Sequence, residues 1–93
     1  MSGDRQRIDR WLWHARVVRT RSSAASLAAA GHVRVNGTRI RAASREVKCG
    51  DVVTVALDRG VRVLQICALA PHRGDAAAAE ALYEELDGAR DRG

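Results

Sequence analysis

Apolar residues fall at Ile8, Trp11, Leu12, Ala15 and Val18. That recurrence at i, i+3, i+4, i+7 and i+10 marks one helix face and predicts a first helix over Ile8–Val18. Arg10, Trp13, His14 and Val17 lie largely off this face, and His14 reads as a solvated helix residue. From Arg21 to Ala30 the chain is mostly Ala, Ser and Leu, good helix material with little bulk. Thr20 stands where an N-cap hydroxyl accepts an orphan backbone N–H, and Gly31 where a helix commonly ends in a left-handed cap. Ala24, Leu27 and Ala28 form the inner face, small enough for this second helix to lie close against the first. The period then changes. Val33-Arg34-Val35 and Thr38-Arg39-Ile40 alternate around Asn36-Gly37, the strongest short-range signal for a type I′ hairpin.

Further on, Arg41 to Glu46 reads as a polar connection, Val47 as an anchor and Lys48-Cys49-Gly50-Asp51 as a turn. Val52–Leu57 and Val61–Leu69 read as strands around an Asp58-Arg59-Gly60 turn, pairing antiparallel and joining the first hairpin. Pro71 to Gly74 breaks the pattern, and Asp75 is placed to cap a final helix through Leu86. Leu82, Tyr83 and Leu86 would supply that helix's apolar contacts, while Glu80, Glu84, Glu85 and Asp87 make it acidic. Ser2–Gln6 reads as a flexible lead, and 88–93 as a frayed end. The expected fold is α+β: two short N-terminal helices on a small antiparallel sheet of about four to five strands, plus a C-terminal helix. One domain over residues 7–70, followed by an acidic helix and tail over 71–93, fits a chain of 93 residues.

Charge changes this picture from a small fold to a surface. Positive charge is carried by fifteen arginines and one lysine, and the planar guanidinium fork holds phosphate bidentately and stacks on bases. Residues 1–48 carry ten arginines and Lys48 against three acids, whereas residues 49–93 carry five arginines against eight acids. An arginine-rich genome alone does not sort the signs in this way; a basic half and an acidic half suggest a polyanion-facing surface. A phosphate at the start of the second helix would meet free N–H groups as well as Arg19 and Arg21. Trp13 has two readings, packing under a C-terminal segment or offering an edge to a base.

Other chemistry is thin. Cys49 and Cys67 lack a Cys-x-x-Cys or a neighbouring His pair, so neither metal nor cofactor is expected and both read as semi-buried thiols of a reducing compartment. There is no phosphate-binding Gly-rich loop, no His-Glu-x-x-His and no Ser/His/Asp set. Asp9 is better explained as the partner of a neighbouring arginine than as a base. So small a domain offers little water-excluding pocket, and an enzyme is not expected. The apolar runs are too short to span a bilayer, and the expectation is a soluble, cytoplasmic monomer.

The segments Arg7 to Arg16, Arg19-Thr20-Arg21-Ser22 and Gly31 to Gly37 resemble the RNA-binding domain named after small-subunit ribosomal protein four. More closely, with Gly50-Asp51-Val52 and Ala81 to Glu85, the chain resembles the bacterial heat-shock protein fifteen family. The resemblance covers about residues 7–86. It implies a helix pair packed on an antiparallel sheet, with helices and hairpin forming one RNA surface. It further implies binding to structured ribosomal RNA on large subunits that carry a peptidyl-tRNA, in rescue of stalled translation. Carried over residue by residue, the contacts would be Arg10, Arg16, Arg19, Thr20, Arg21, Ser22, Arg34, Asn36, Arg39 and Arg41. Family members typically continue into a longer lysine-rich C-terminal extension, where this sequence has an acidic stretch ending at Gly93; they also commonly have aromatics where it has Val17-Val18. Two alternatives remain beside this reading. One is a helix–turn–helix protein with weak DNA binding, although its second helix carries no Asn, Gln or Arg along its length to read base edges. The other is an RNA-guiding subunit for a separate modifying enzyme.

Overall fold

A computed structural model describes residues 4–86 of the chain. Strand β1 (Gln6–Arg7) leads into helix α1 (Ile8–His14), and α2 (Arg21–Ala29) precedes β2 (Val33–Val35), β3 (Thr38–Arg39) and β4 (Glu46–Val47). The chain then forms β5 (Val52–Leu57), β6 (Gly60–Ile66), α3 (Ala76–Glu80) and β7 (Tyr83–Glu85). Strands β1 and β4 pair alone, and the main antiparallel sheet runs β3-β2-β5-β6-β7. The class is α+β, as the pattern predicts.

Both helices of the N-terminal pair stop by the same device. At the end of α2, Gly31 takes φ 84°, its N–H reaches Ala28 O at 3.0 Å and the His32 N–H reaches Leu27 O at 3.0 Å. Those two bonds define a Schellman motif, which satisfies carbonyls the helix leaves unpaired. At the end of α1, Arg16 takes φ 60°, its N–H bonds Trp13 O at 3.1 Å and the Val17 N–H bonds Leu12 O at 3.0 Å. The motif is identical, but its left-handed residue is an arginine, where a Cβ makes the conformation costly. This is why the expected helix to Val18 ends at His14. Val17 and Val18 are nonetheless buried, folded back on the C-terminal side of the turn.

The core lies between α1 and the inner face of the main sheet. Ile8, Trp11 and Leu12 are fully enclosed together with Val33, Val53, Val55 and Leu64, each such side chain contributing about 1.5–3 kcal/mol on burial. Ala24 and Ala28 are also fully enclosed, so α2 lies against α1 through methyl groups, as their smallness predicts. The hairpin is type I′, with Asn36 at φ 52° and Gly37 at φ 84°.

The C-terminal segment departs most from expectation. Helix α3, capped by Asp75 Oδ1 accepting from the Ala78 N–H at 2.9 Å, lasts five residues instead of reaching Leu86. Tyr83–Glu85 is strand, in register Ile66↔Tyr83, Gln65↔Glu84 and Leu64↔Glu85. The free edge of β6 offers backbone partners that a solvated helix face does not. Arg62 fixes the register: its Nε and Nη2 donate to Glu85 at 2.9 and 2.8 Å, and its guanidinium lies 5.6 Å from the Tyr83 ring centroid. The Glu85 hydrogen bonds raise the Arg62 pKa further above its ordinary value. Asp87, assigned to the same helix, and the tail to Gly93 lie outside the described residues.

Other departures from expectation are smaller. Gln6 is not a loose lead, and Glu46 does not end a polar connection, because they enter the small sheet with Gln6↔Val47 and Arg7↔Glu46 paired. His14 is buried, its Nδ1 3.0 Å from Ala70 O, so it is not solvated. The strand-free segment between Cys67 and Asp75 crosses α1 and leaves carbonyls that need donors. Trp11 Nε1 donates to Ala68 O at 3.1 Å, Gln6 Nε2 to Ala70 O at 2.7 Å, and Arg16 Nε and Nη2 to Gly74 O at 3.0 and 2.8 Å. Arg73 in turn donates to Trp13 O at 3.1 Å and lies 5.8 Å from the Trp13 ring. Trp13 therefore packs against the C-terminal segment, one of its two readings. Cys49 and Cys67, expected to be semi-buried, are both exposed and free.

Candidate nucleic-acid interface

Helix α2 organises the candidate residues at its two ends, about 14 Å apart at 1.5 Å per residue. At its N-terminal end Thr20 accepts from the Ser23 N–H at 3.0 Å and donates to Ser23 Oγ at 2.9 Å. Its hydroxyl is thus committed to the cap. Arg19 and Ser22 are exposed beside it. Arg21 is half-buried, with Nε 3.9 Å from Asp9 Oδ2. Asp9 itself is buried and receives a fork from Arg7, Nε to Oδ1 at 3.1 Å and Nη2 to Oδ2 at 2.9 Å. Those hydrogen bonds raise the Arg7 pKa, and they give Asp9 the arginine pairing read from the sequence.

At the C-terminal end of α2 a second cluster forms. Arg34 and Arg39 are direct cross-strand partners, an arrangement that repels in the absence of an anion. Arg39 Cδ and the Arg41 guanidinium both approach Gly31, 3.3 and 3.5 Å from where a Cβ would stand. Arg39 and Arg41 are thereby side by side against the negative end of the helix dipole, which favours cations. Arg10, Arg19, Arg34, Arg39 and Arg41 are all exposed and form no salt bridge among the described residues. Arg16, Arg45 and Arg59 are likewise exposed without a salt bridge among the described residues; what sets the five apart is their grouping on α1 and at the two ends of α2, a concentration of positive charge suited to a polyanion.

Besides Thr20, two further candidates are bound into the fold. Arg16 holds Gly74, as described above. Asn36 joins the hairpin to β5: its Nδ2 donates to Asp51 Oδ1 at 3.1 Å, and its Oδ1 accepts from the Val52 N–H at 2.9 Å. Asp51 is buried and also accepts from the Lys48 N–H at 3.0 Å and Nζ at 3.1 Å. Burial pushes its carboxyl up, but the bonds from Asn36 and Lys48 outweigh burial and hold its pKa below the ordinary value.

Sequence reasoning passed over Arg5, Arg45 and Lys48. They line a cleft of about 370 Å³ beside Asn36, which extends the basic surface past the hairpin. Arg5 lies 4.0 Å from Glu46 and Lys48 pairs with Asp51, so this cleft is partly neutralised. The lone lysine in a basic half was the available signal. Along α2 the exposed side chains are serines and alanines, which offer no bidentate reading of base edges in a major groove.

A paired basic surface on a helix pair and hairpin defines a class, the S4-type RNA-binding domain, and the S4 domain family matches residues 6–53. The chain is 33% identical over 81 residues to a heat shock protein 15 homolog of Haemophilus influenzae, covering 87% of this chain and 61% of that protein. To heat shock protein 15 of Escherichia coli K12 it is 34% identical over 79 residues, 85% of this chain and 59% of that one. The chain thus spans about 60% of the length of these curated relatives. In structure it is similar to Vibrio cholerae heat shock protein 15, with TM-score 0.86 and 30% identity over 96% of this chain and 89% of that one. This chain belongs to the heat shock protein 15 family. The Vibrio cholerae structure is described as trimeric, so the monomer expected from sequence is not the state of that relative. No helix among the described residues is long and apolar enough to cross a membrane.

Proposed function

We propose that this S4-domain protein is a non-catalytic binder of structured ribosomal RNA, acting on large ribosomal subunits, with or without bound peptidyl-tRNA, in rescue or recycling under stress. The observation that carries the RNA reading is the set of five exposed arginines, at both ends of α2 and on α1, that lack acidic partners among the described residues. The large-subunit role rests on family membership. In this reading Arg10, Arg19, Arg34, Arg39 and Arg41 contact phosphate, and Arg21 joins them while sharing Asp9. Ser22 meets a 2′-hydroxyl, and Arg16, Thr20 and Asn36 serve chiefly by holding the surface in shape. A-form RNA presents phosphates and 2′-hydroxyls in a wide, shallow groove, which fixed short donors recognise by shape.

The test is competition at one salt concentration between a folded ribosomal RNA fragment and B-form DNA of equal length and charge. The RNA is expected to bind more tightly. With roughly five phosphates engaged, log K should fall against log salt with a slope of about −3 to −5. DNA that competes equally and yields a preferred sequence on selection would replace this reading with a helix–turn–helix one. Crosslinking in cells, with sequencing of the attached RNA, identifies the site and the subunit.

A further inference from the structure

Between the outer side of α2 and the turn joining β5 to β6 lies an open groove of about 610 Å³, within the range of small-molecule sites. Leu27 and Leu57 form its floor and are only half-buried, in a domain that has few bulky apolar side chains to leave exposed. Its rim holds Arg19, His32 and Asp58, all exposed. Arg19 is one of the arginines without an acidic partner, so the groove opens beside the phosphate-binding surface. Asp58 is the acid on this rim, and it has no salt bridge among the described residues.

A carboxylate repels an RNA backbone but attracts a part of the RNA that donates hydrogen. Unpaired bases do so: splayed out of a loop or bulge, they stack on aromatic or guanidinium planes and are read on their Watson–Crick edges. An ionised carboxylate is acceptor-only, with two oxygens side by side. Guanine alone among the four bases presents two adjacent N–H donors on that edge, N1–H and the exocyclic amine. We propose that the groove receives one unpaired guanine of the bound RNA. Its faces lie on Leu27, Leu57 and the His32 imidazole, its phosphate on Arg19 and its Watson–Crick edge on Asp58. The inference rests on the RNA reading above and specifies which feature of the RNA is recognised.

The experiment uses five RNA hairpins identical except for one bulged position, which holds G, A, C, U or an abasic residue, titrated at fixed salt. The full chain is expected to bind the G hairpin roughly tenfold more tightly than the abasic one, the scale of one bidentate base contact. Asp58→Asn, in an exposed turn, should lose the preference for G, because an amide both donates and accepts and so matches a donor–acceptor pair on the Watson–Crick edge of every base. Ser26→Trp fills the groove from the exposed side of α2 and should bind all five hairpins equally, with the salt slope of the parent. If the parent protein binds all five equally on a steep salt slope, the base site is overturned and the phosphate surface stands; the groove is then left to an apolar protein segment. If none of the hairpins binds, the RNA reading falls and the base site with it.

Discussion

Arg34 and Arg39 stand directly opposite each other on β2 and β3, and both are exposed without an acidic partner among the described residues. Replacing Arg39 with Gln should therefore move stability and binding in opposite directions. Like charges directly opposite on a sheet cost about 0.2–1 kcal/mol, and relief of that term makes the free protein more stable. Gln keeps the Cβ and Cγ methylenes and puts its amide carbon where Arg39 Cδ lies, 3.3 Å from the position a Gly31 Cβ would take, so little packing is lost. For a domain of this size 1 kcal/mol corresponds to about 4–8 °C in Tm, and the expected gain is a few degrees at low salt, shrinking as salt rises. In RNA binding the same change removes one charge-assisted contact, about 1.5–3 kcal/mol, and lowers the salt slope by about one. Thermal unfolding and filter binding on the same preparation read the two effects. The double variant with Arg34→Gln tests the origin of the stability gain: once one charge is gone the second removal relieves nothing further, so the gains should not add. A variant that loses stability while binding RNA as tightly as the parent would refute both halves of the reasoning.

Arg19→Ala should weaken binding to folded ribosomal RNA by about 1–3 kcal/mol with little effect on unfolding, whereas Arg59→Ala, at a residue that lines the cleft beside Arg62 and Glu85 and not the groove that holds Asp58, should stay within about 0.5 kcal/mol of the parent; equal losses would assign binding to net charge. Arg16→Ala removes the two bonds to Gly74 yet keeps a Cβ at φ 60°, and should cost about 1 kcal/mol in urea unfolding; Arg16→Gly relieves the strain and should be closer to neutral. Burial, opposed by the Ala70 carbonyl, lowers the His14 pKa below its ordinary 6.5, so the unfolded chain takes up the proton first. His14 thus favours the fold fully above about pH 6.5, and its share is lost as pH falls below that value. The urea midpoint should begin to drop there in the parent but not in His14→Gln, and a midpoint that rises on acidification refutes the assignment. Asp51, held below its ordinary 3.8, contributes above about pH 4 and loses that share as pH falls through its folded pKa. Asp51→Asn should therefore flatten the lowest part of the curve.

The local elements of this protein were written in short stretches of sequence. Thr20, Gly31 and Asn36-Gly37 each act on neighbours within a few residues, and cap, stop and turn all stand where those residues predict. Val52–Leu57 is a strand at both expected ends, because its alternation suits one buried face. The arginine-rich surface was legible as well, since charge sorting along the chain survives any arrangement of a fold this small. What the sequence did not contain lies in contacts between distant segments. Arg16 carries no local sign of a left-handed stop; its conformation is held by Leu12 and Trp13 carbonyls and by Gly74, 58 residues away. His14 has the position of a solvated residue until the segment ending at Asp75 crosses it. Tyr83–Glu85 satisfies a helical pattern, yet the open edge of β6 and the Arg62–Glu85 fork make it a strand. The family resemblance implies Asn36 as an RNA contact, and only the approach of Asp51 and Val52 reveals the clasp it forms with β5. The physical division is one of range. Backbone preference and capping act within a turn or two of chain, whereas burial, edge pairing and the completion of a hydrogen-bond set depend on which remote segment arrives.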